Sequence, residues 1–146
     1  MKKILAVILA LFTLTLTACS AELTPEQYSE KLRSTYITYN TELMDTATQL
    51  SSYSPAEEIN AAADRASAAL DEIEHMNPPA LYSAQHAAVC EAMANERTWL
   101  ETARKIAAEG DSDELLNQLT TCASNTEFHD QMSTLIKNLR TDGYWN

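Results

Sequence analysis

The sequence predicts an all-α fold, an up-down bundle of about four helices with the last one broken near residues 124–126. Gly occurs twice and Pro four times in 146 residues, too few turn-formers for a chain of short strands. Apolar residues recur at steps of three and four, the period of a helix face. Two helix-start signatures stand out as well, Thr24-Pro25-Glu26-Gln27 and Ser54-Pro55-Ala56-Glu57, each with a hydroxyl cap and Pro at the first helical position. The length suits one compact domain.

Met1, Lys2 and Lys3 give a basic start, and Ile4 to Leu16 is an uncharged apolar run broken by Thr13 and Thr15. A spanning helix needs about 20 apolar residues, so this run reads as the core of a removable signal over residues 1–18. Leu16, Thr17, Ala18 and Cys19 follow, and this tetrad resembles the lipobox of bacterial lipoproteins. The resemblance covers residues 1–20. It implies cleavage between Ala18 and Cys19, a diacylglycerol thioether on Cys19 and, in many bacteria, a further acyl chain such as palmitate on the new amine. It also implies a protein anchored by lipid to the cell membrane or outer membrane and facing outside the cytoplasm. Two or three acyl chains hold firmly where one holds reversibly. Residues 19–23 are then the lipidated Cys and a short tether, 24–141 the bundle domain and 142–146 an aromatic tail.

Within the bundle, Thr24 and Gln27 form a capping box, and Leu23 and Tyr28 are placed as a hydrophobic staple. Tyr28, Leu32, Tyr36, Tyr39, Leu43, Ala47 and Leu50 make one apolar stripe, predicting a first helix to about residue 51. Ser54 and Pro55 begin a second helix lined by Ala62, Ala66 and Ala69, whose small side chains let neighbours approach; Asn77 before Pro78 and Pro79 ends it. The third helix carries two ridges, Leu81, Ala84, Ala88, Ala92, Trp99, Ala103 and Ile106 beside Tyr82, Val89, Met93 and Leu100, a width suited to two neighbours, and it ends at Gly110. Asp111 or Ser112 caps a fourth helix. There Leu115, Leu119 and Cys122 share one face while Phe128, Met132, Leu135 and Leu139 point the opposite way, and Ser124 to Glu127 resemble a fresh capping box.

The formal charge of −11 becomes −13 when Lys2 and Lys3 leave with the signal. Such a surface repels phosphate backbones and anionic headgroups, which excludes nucleic acid and leaves membrane attachment to acyl chains. With Cys19 spent on lipid, Cys90 and Cys122 are an even pair in a compartment that permits a disulfide. In a straight hairpin turning at Gly110 their levels differ by about 13 Å, against the roughly 7 Å between alpha carbons that a bridge allows. Bridged and unbridged states both stay open.

His86, Cys90 and His129 invite a metal reading, but a metal needs three or four convergent and supported ligands and Cys90 lies opposite the main ridge of its helix, so no metal is expected. Glu72 and His75 form one Glu-x-x-His where a di-iron bundle needs two. The arrangement also looks like the small periplasmic b-type cytochromes, four-helix bundles whose haem is held by a Met early in helix one and a His in helix four. His129 answers to the second, whereas Met44 lies near the far end of helix one, so no cofactor is expected. Asp111 to Glu114 resemble a calcium loop in composition but are too short for one. Without a phosphate loop, nucleophile elbow or Cys-His spacing, catalysis is not expected.

In an up-down bundle the first and last termini share one end, setting Tyr144 and Trp145 beside the acylated Cys19; they either enter the headgroup region or pack on the bundle end. The expected function is a non-enzymatic, membrane-anchored interaction module that binds an envelope protein or cell-wall component through a helix face or groove. A carrier of a metal, haem or small apolar ligand is the alternative.

Overall fold

The computed structural model describes residues 22–145, so the signal, Ala18 and Cys19 lie outside the described residues. Five helices follow one another: α1 (Pro25–Ser51), α2 (Ala56–Glu74), α3 (Ser83–Glu109), α4 (Asp113–Ala123) and α5 (Glu127–Thr141), with a single 3-10 turn (Ala80–Tyr82) leading into α3. The chain is a helical bundle whose fourth arm is bent at 124–126 into α4 and α5, and no strand occurs among the described residues.

The predicted capping box opens α1. Thr24 Oγ1 accepts from the Gln27 amide at 3.3 Å and Gln27 Oε1 accepts from the Thr24 amide at 3.1 Å. The α1–α2 connection differs by one residue from expectation, because Ser54 does not cap α2, which begins at Ala56 after Pro55. Ser54 is used by the end of α1 instead. Its amide donates to the Gln49 carbonyl at 3.0 Å and the Tyr53 amide to the Leu50 carbonyl at 3.2 Å, the bond pair of a Schellman motif. Tyr53 takes the left-handed place that Gly usually fills, with φ of 53°. At the break Ser124 does not cap α5: the N-cap is Thr126, without a side-chain cap bond, and Asn125 Oδ1 accepts from the Glu127 amide at 2.9 Å in the turn before it. Ser124 is turned back onto the Thr121 carbonyl at 2.8 Å.

Helix α2 presents Ala62, Ala63, Ala66 and Ala69, all buried, and α1 packs on this seam more closely than on any other helix, as small contact residues permit. On its other side α1 meets α5 through large rings. Phe128 stands edge-on to Tyr39 with centroids 5.4 Å apart and to Tyr36 at 6.2 Å, holding the backbones apart. Tyr28, Leu32, Leu70, Ile73, Met93, Leu100, Met132, Leu135 and Leu139 complete the core.

One end of the bundle is laced together by polar contacts. The Leu23 amide donates to the Asn77 carbonyl at 3.1 Å, and the Ala80 amide to Glu22 Oε1 at 2.6 Å. Tyr28 and His86 Nδ1 share a buried hydrogen bond of 2.9 Å, Tyr28 stacks on Tyr82, and the Tyr82 hydroxyl donates to Asp142 at 2.7 Å. At the tail, Gly143 with φ of 85° supports a second Schellman motif, the Tyr144 amide reaching the Leu139 carbonyl at 2.8 Å.

Burial lowers the His86 pKa below its ordinary value of 6.5, opposed in part by the Glu74 backbone. Its neutral form is favoured in the fold, so the stability it contributes is complete above pH 6.5 and declines as pH falls below it. Stability read from thermal melts is expected to fall as pH drops below 6.5, by at most about 1.4 kcal/mol per pH unit, with a flatter profile for His86→Gln; equal slopes would refute this. Tyr53→Gly relieves the left-handed strain of an exposed side chain and is expected to stabilise by about 1 kcal/mol, read as a rise in the denaturation midpoint.

Candidate functional site

Backbone approach between α1 and α4 is sparse, and α4 rests on α3. The reason lies in side-chain size. The Tyr36, Tyr39 and Phe128 rings separate α1 from the fourth arm at mid-height, and beyond the break at 124–126 nothing as large continues the wedge. Cys122 is the one buried residue of α4. A groove is left between α1, α3 and α4.

Two adjoining cavities form it, of about 220 Å3 and about 270 Å3, sharing Ala47 and Trp99 as common walls. Leu43, Met44 and Cys122 line the first; Leu50, Ile106, Leu116 and Leu119 line the second. Trp99 and Ile106 belong to the ridge that was expected to meet a second neighbour, yet both are only half-buried. Leu81, at the start of that ridge, is exposed. The other ridge, Tyr82, Val89, Met93 and Leu100, faces the core.

The groove carries one buried acid. Glu96 is 7% exposed and lines the first cavity. The Tyr39 hydroxyl donates a short hydrogen bond to Glu96 Oε2, and the Tyr39 pKa is driven upward by burial first and by the Glu96 charge second. None of the ion pairs among the described residues includes Glu96. Arg97 holds Asp71 and Glu74, Arg104 holds Asp64, and Arg65 holds Glu42 and Asp45. His129 stands at the rim beside Phe128, their rings 5.6 Å apart. Glu96 was not singled out from the sequence. Its spacing held the signal, since Val89, Met93, Glu96 and Leu100 step by three and four along the buried ridge.

Cys90 and Cys122 are both free thiols. Asn95 donates to the Cys122 carbonyl at 2.8 Å, so α4 crosses α3 five residues beyond Cys90, a rise of about 7.5 Å with a turn to another face. That offset leaves the bridge unmade. Burial raises both thiol pKa values, with Glu74 adding to the rise at Cys90 and Glu96 at Cys122, so neither is an activated nucleophile.

His86 is held by Tyr28 and does not meet His129, and no group of three His, Cys, Asp or Glu side chains suited to a metal occurs among the described residues. Met44, near the far end of the first helix as expected, lines the same cavity as His129, because α5 starts only at Glu127 and puts His129 in its first turn. The pair does not fit a haem. Met44 is 65% exposed, and a cavity of about 220 Å3 is well below the volume of a porphyrin. Glu72 pairs with Lys31 at 3.5 Å, and His75 Nδ1 bonds the Asp71 carbonyl at 2.7 Å. Ser112 caps α4 by accepting from the Leu115 amide at 3.3 Å, with Asp113 and Glu114 in the first turn. Tyr144 and Trp145 pack partly buried against the core, and Ser29 Oγ donates to the Tyr144 carbonyl at 2.6 Å. The tail is folded onto the bundle end.

Compared with family models, curated proteins and solved structures, the chain has no match.

Tyr39→Phe removes the donor to a buried carboxylate and is expected to destabilise by about 1–3 kcal/mol, read from urea denaturation. A change under about 0.5 kcal/mol, the scale of an ordinary surface substitution, would show that the contact is not structural.

Proposed function

We propose that the protein is a lipid-anchored, non-enzymatic binding module of the bacterial cell envelope, which takes its ligand in the groove between α1, α3 and α4. The observation that carries this reading is the apolar groove itself, walled by Leu43, Ala47, Trp99 and Leu119 and left uncovered by the splayed α4. Soluble proteins rarely leave contiguous apolar surface open without a use for it. The anchor rests on the lipobox-like Leu16-Thr17-Ala18-Cys19.

The geometry of the described residues suits a tethered role. Glu22 and Leu23 are hydrogen-bonded to the α2–α3 connection, and three residues of chain reach about 10 Å at most. A lipid on Cys19 therefore holds that end against the membrane, with Tyr144 and Trp145 beside it. The groove, starting near Leu43 and running toward Tyr53, then opens away from the bilayer. No described helix is long and apolar enough to cross a membrane, which agrees with attachment through acyl chains. Cavities of about 220 and 270 Å3 also favour carriage of a small ligand over the docking of a whole helix, which would need a longer trough.

Labelled palmitate should enter the wild-type chain and not Cys19→Ser, which should leave the membrane fraction; retention of the variant there overturns the anchor. A photo-crosslinking side chain at Leu119 should give discrete adducts in intact cells, seen by intact-protein mass, while one at the exposed Glu30 should not. Equal labelling at both positions, or none at Leu119, overturns the groove as the binding site.

A further inference from the structure

We propose that the groove selects a small organic cation with an apolar body, its positive centre lodged between the Glu96 carboxylate and the face of Trp99 and its body lying along Ala47 into the second cavity. The proposal rests on the groove being the binding site and adds the chemical class of its occupant.

Glu96 is 93% buried by its 7% exposure, yet it lines an open cavity rather than sealed core. A buried carboxylate demands compensation, normally a cation with further hydrogen bonds. Here Tyr39 donates to Oε2, and no ion pair among the described residues includes Glu96. The nearby guanidinium groups are engaged elsewhere, Arg97 with Asp71 and Glu74, Arg104 with Asp64. Among the described residues the fold thus supplies a buried carboxylate in an open cavity, one hydroxyl to orient it, His129 at the cavity rim, and no ion-pair partner.

The surroundings narrow the class further. Trp99 is shared by both cavities, and an indole face attracts ammonium groups most strongly where water is excluded. The walls beyond it are mainly apolar, with Leu50, Ile106, Leu116 and Leu119 outweighing Ser51, Tyr53 and Asp111. A fatty acid or phosphate would meet Glu96 with like charge inside a chain of net charge −11, which is repelled both locally and at long range. A neutral apolar molecule would fill the groove and leave Glu96 uncompensated. A cation with an apolar body satisfies both features.

The test uses the mature lipidated chain in phosphatidylcholine vesicles with Trp145→Phe, leaving Trp99 as the reporter since the chain holds two Trp residues. Three probes share one body and differ in the head: 4-phenylbutylammonium, 4-phenylbutanol and 4-phenylbutanoate. The ammonium is expected to shift Trp99 emission with an affinity about tenfold above the alcohol, the carboxylate to bind weakest, and Glu96→Gln to bring the ammonium down to the alcohol without changing the alcohol. Ala47→Phe, which fills the shared wall without touching Glu96, should abolish all three responses. Equal affinity for ammonium and alcohol overturns the cation class while leaving the groove as a site for neutral ligands. Tightest binding of the carboxylate overturns it outright, and so does silence from all three probes when the Leu119 crosslinks persist. If Glu96→Gln fails to fold, the ammonium-to-alcohol ratio in the chain with native Glu96 decides.

Discussion

The architecture turns on a difference in side-chain size across the two flanks of α1. Against α2 it meets Ala62, Ala63, Ala66 and Ala69, and the helices close. Against the fourth arm it meets Phe128 through Tyr36 and Tyr39, and the helices stand apart. Interaxial distance follows the residues at the contact, so a bundle with small residues on one seam and rings on another is splayed on the second. Past the point where the rings stop, α4 has no comparable filling to meet. The groove is the space left over, and Trp99 and Ile106 line it because no neighbour closes over them.

That space would be a mere packing fault were it not for what faces it. An acid in phase with the core ridge of α3 is costly unless something compensates it, and Tyr39 reaches it from the same ring cluster that wedges the helices. The Tyr39 hydroxyl therefore has two consequences: its ring helps set the width of the groove and its oxygen orients Glu96. At the other end, the polar lacing of Glu22, Leu23, Asn77 and Ala80 fastens the first described residues to the α2–α3 connection. The laced end and the groove thus lie toward opposite ends of α1.

Helix boundaries were legible because their signals are local. Thr24 with Gln27, Gly110 at the end of α3 and Ser112 before α4 work through bonds within a few residues, and each holds in the structure. The phase reversal between Cys122 and Phe128 announced the break. Where two local signals competed, the pattern misled: Ser54 has the composition of an N-cap, yet the end of α1 takes its amide first. Glu96 was not singled out, although its position among Val89, Met93 and Leu100 puts it in phase with the core. Met44 and His129 line one cavity because the break sets His129 in the first turn of α5, a proximity between helices that no spacing along the chain records.

The amino-acid sequence by itself determined the helices, their order, the bend, the acidic character and the lipobox-like start, all of which depend on spacing, capping chemistry and composition along the chain. Tertiary structure alone decided which ridge of α3 is core, that Cys90 and Cys122 stand apart, that Glu96 has Tyr39 as its partner, and that a groove exists. These depend on how far apart two helices rest. That distance is a sum over side chains from segments distant in sequence, and no local pattern contains it.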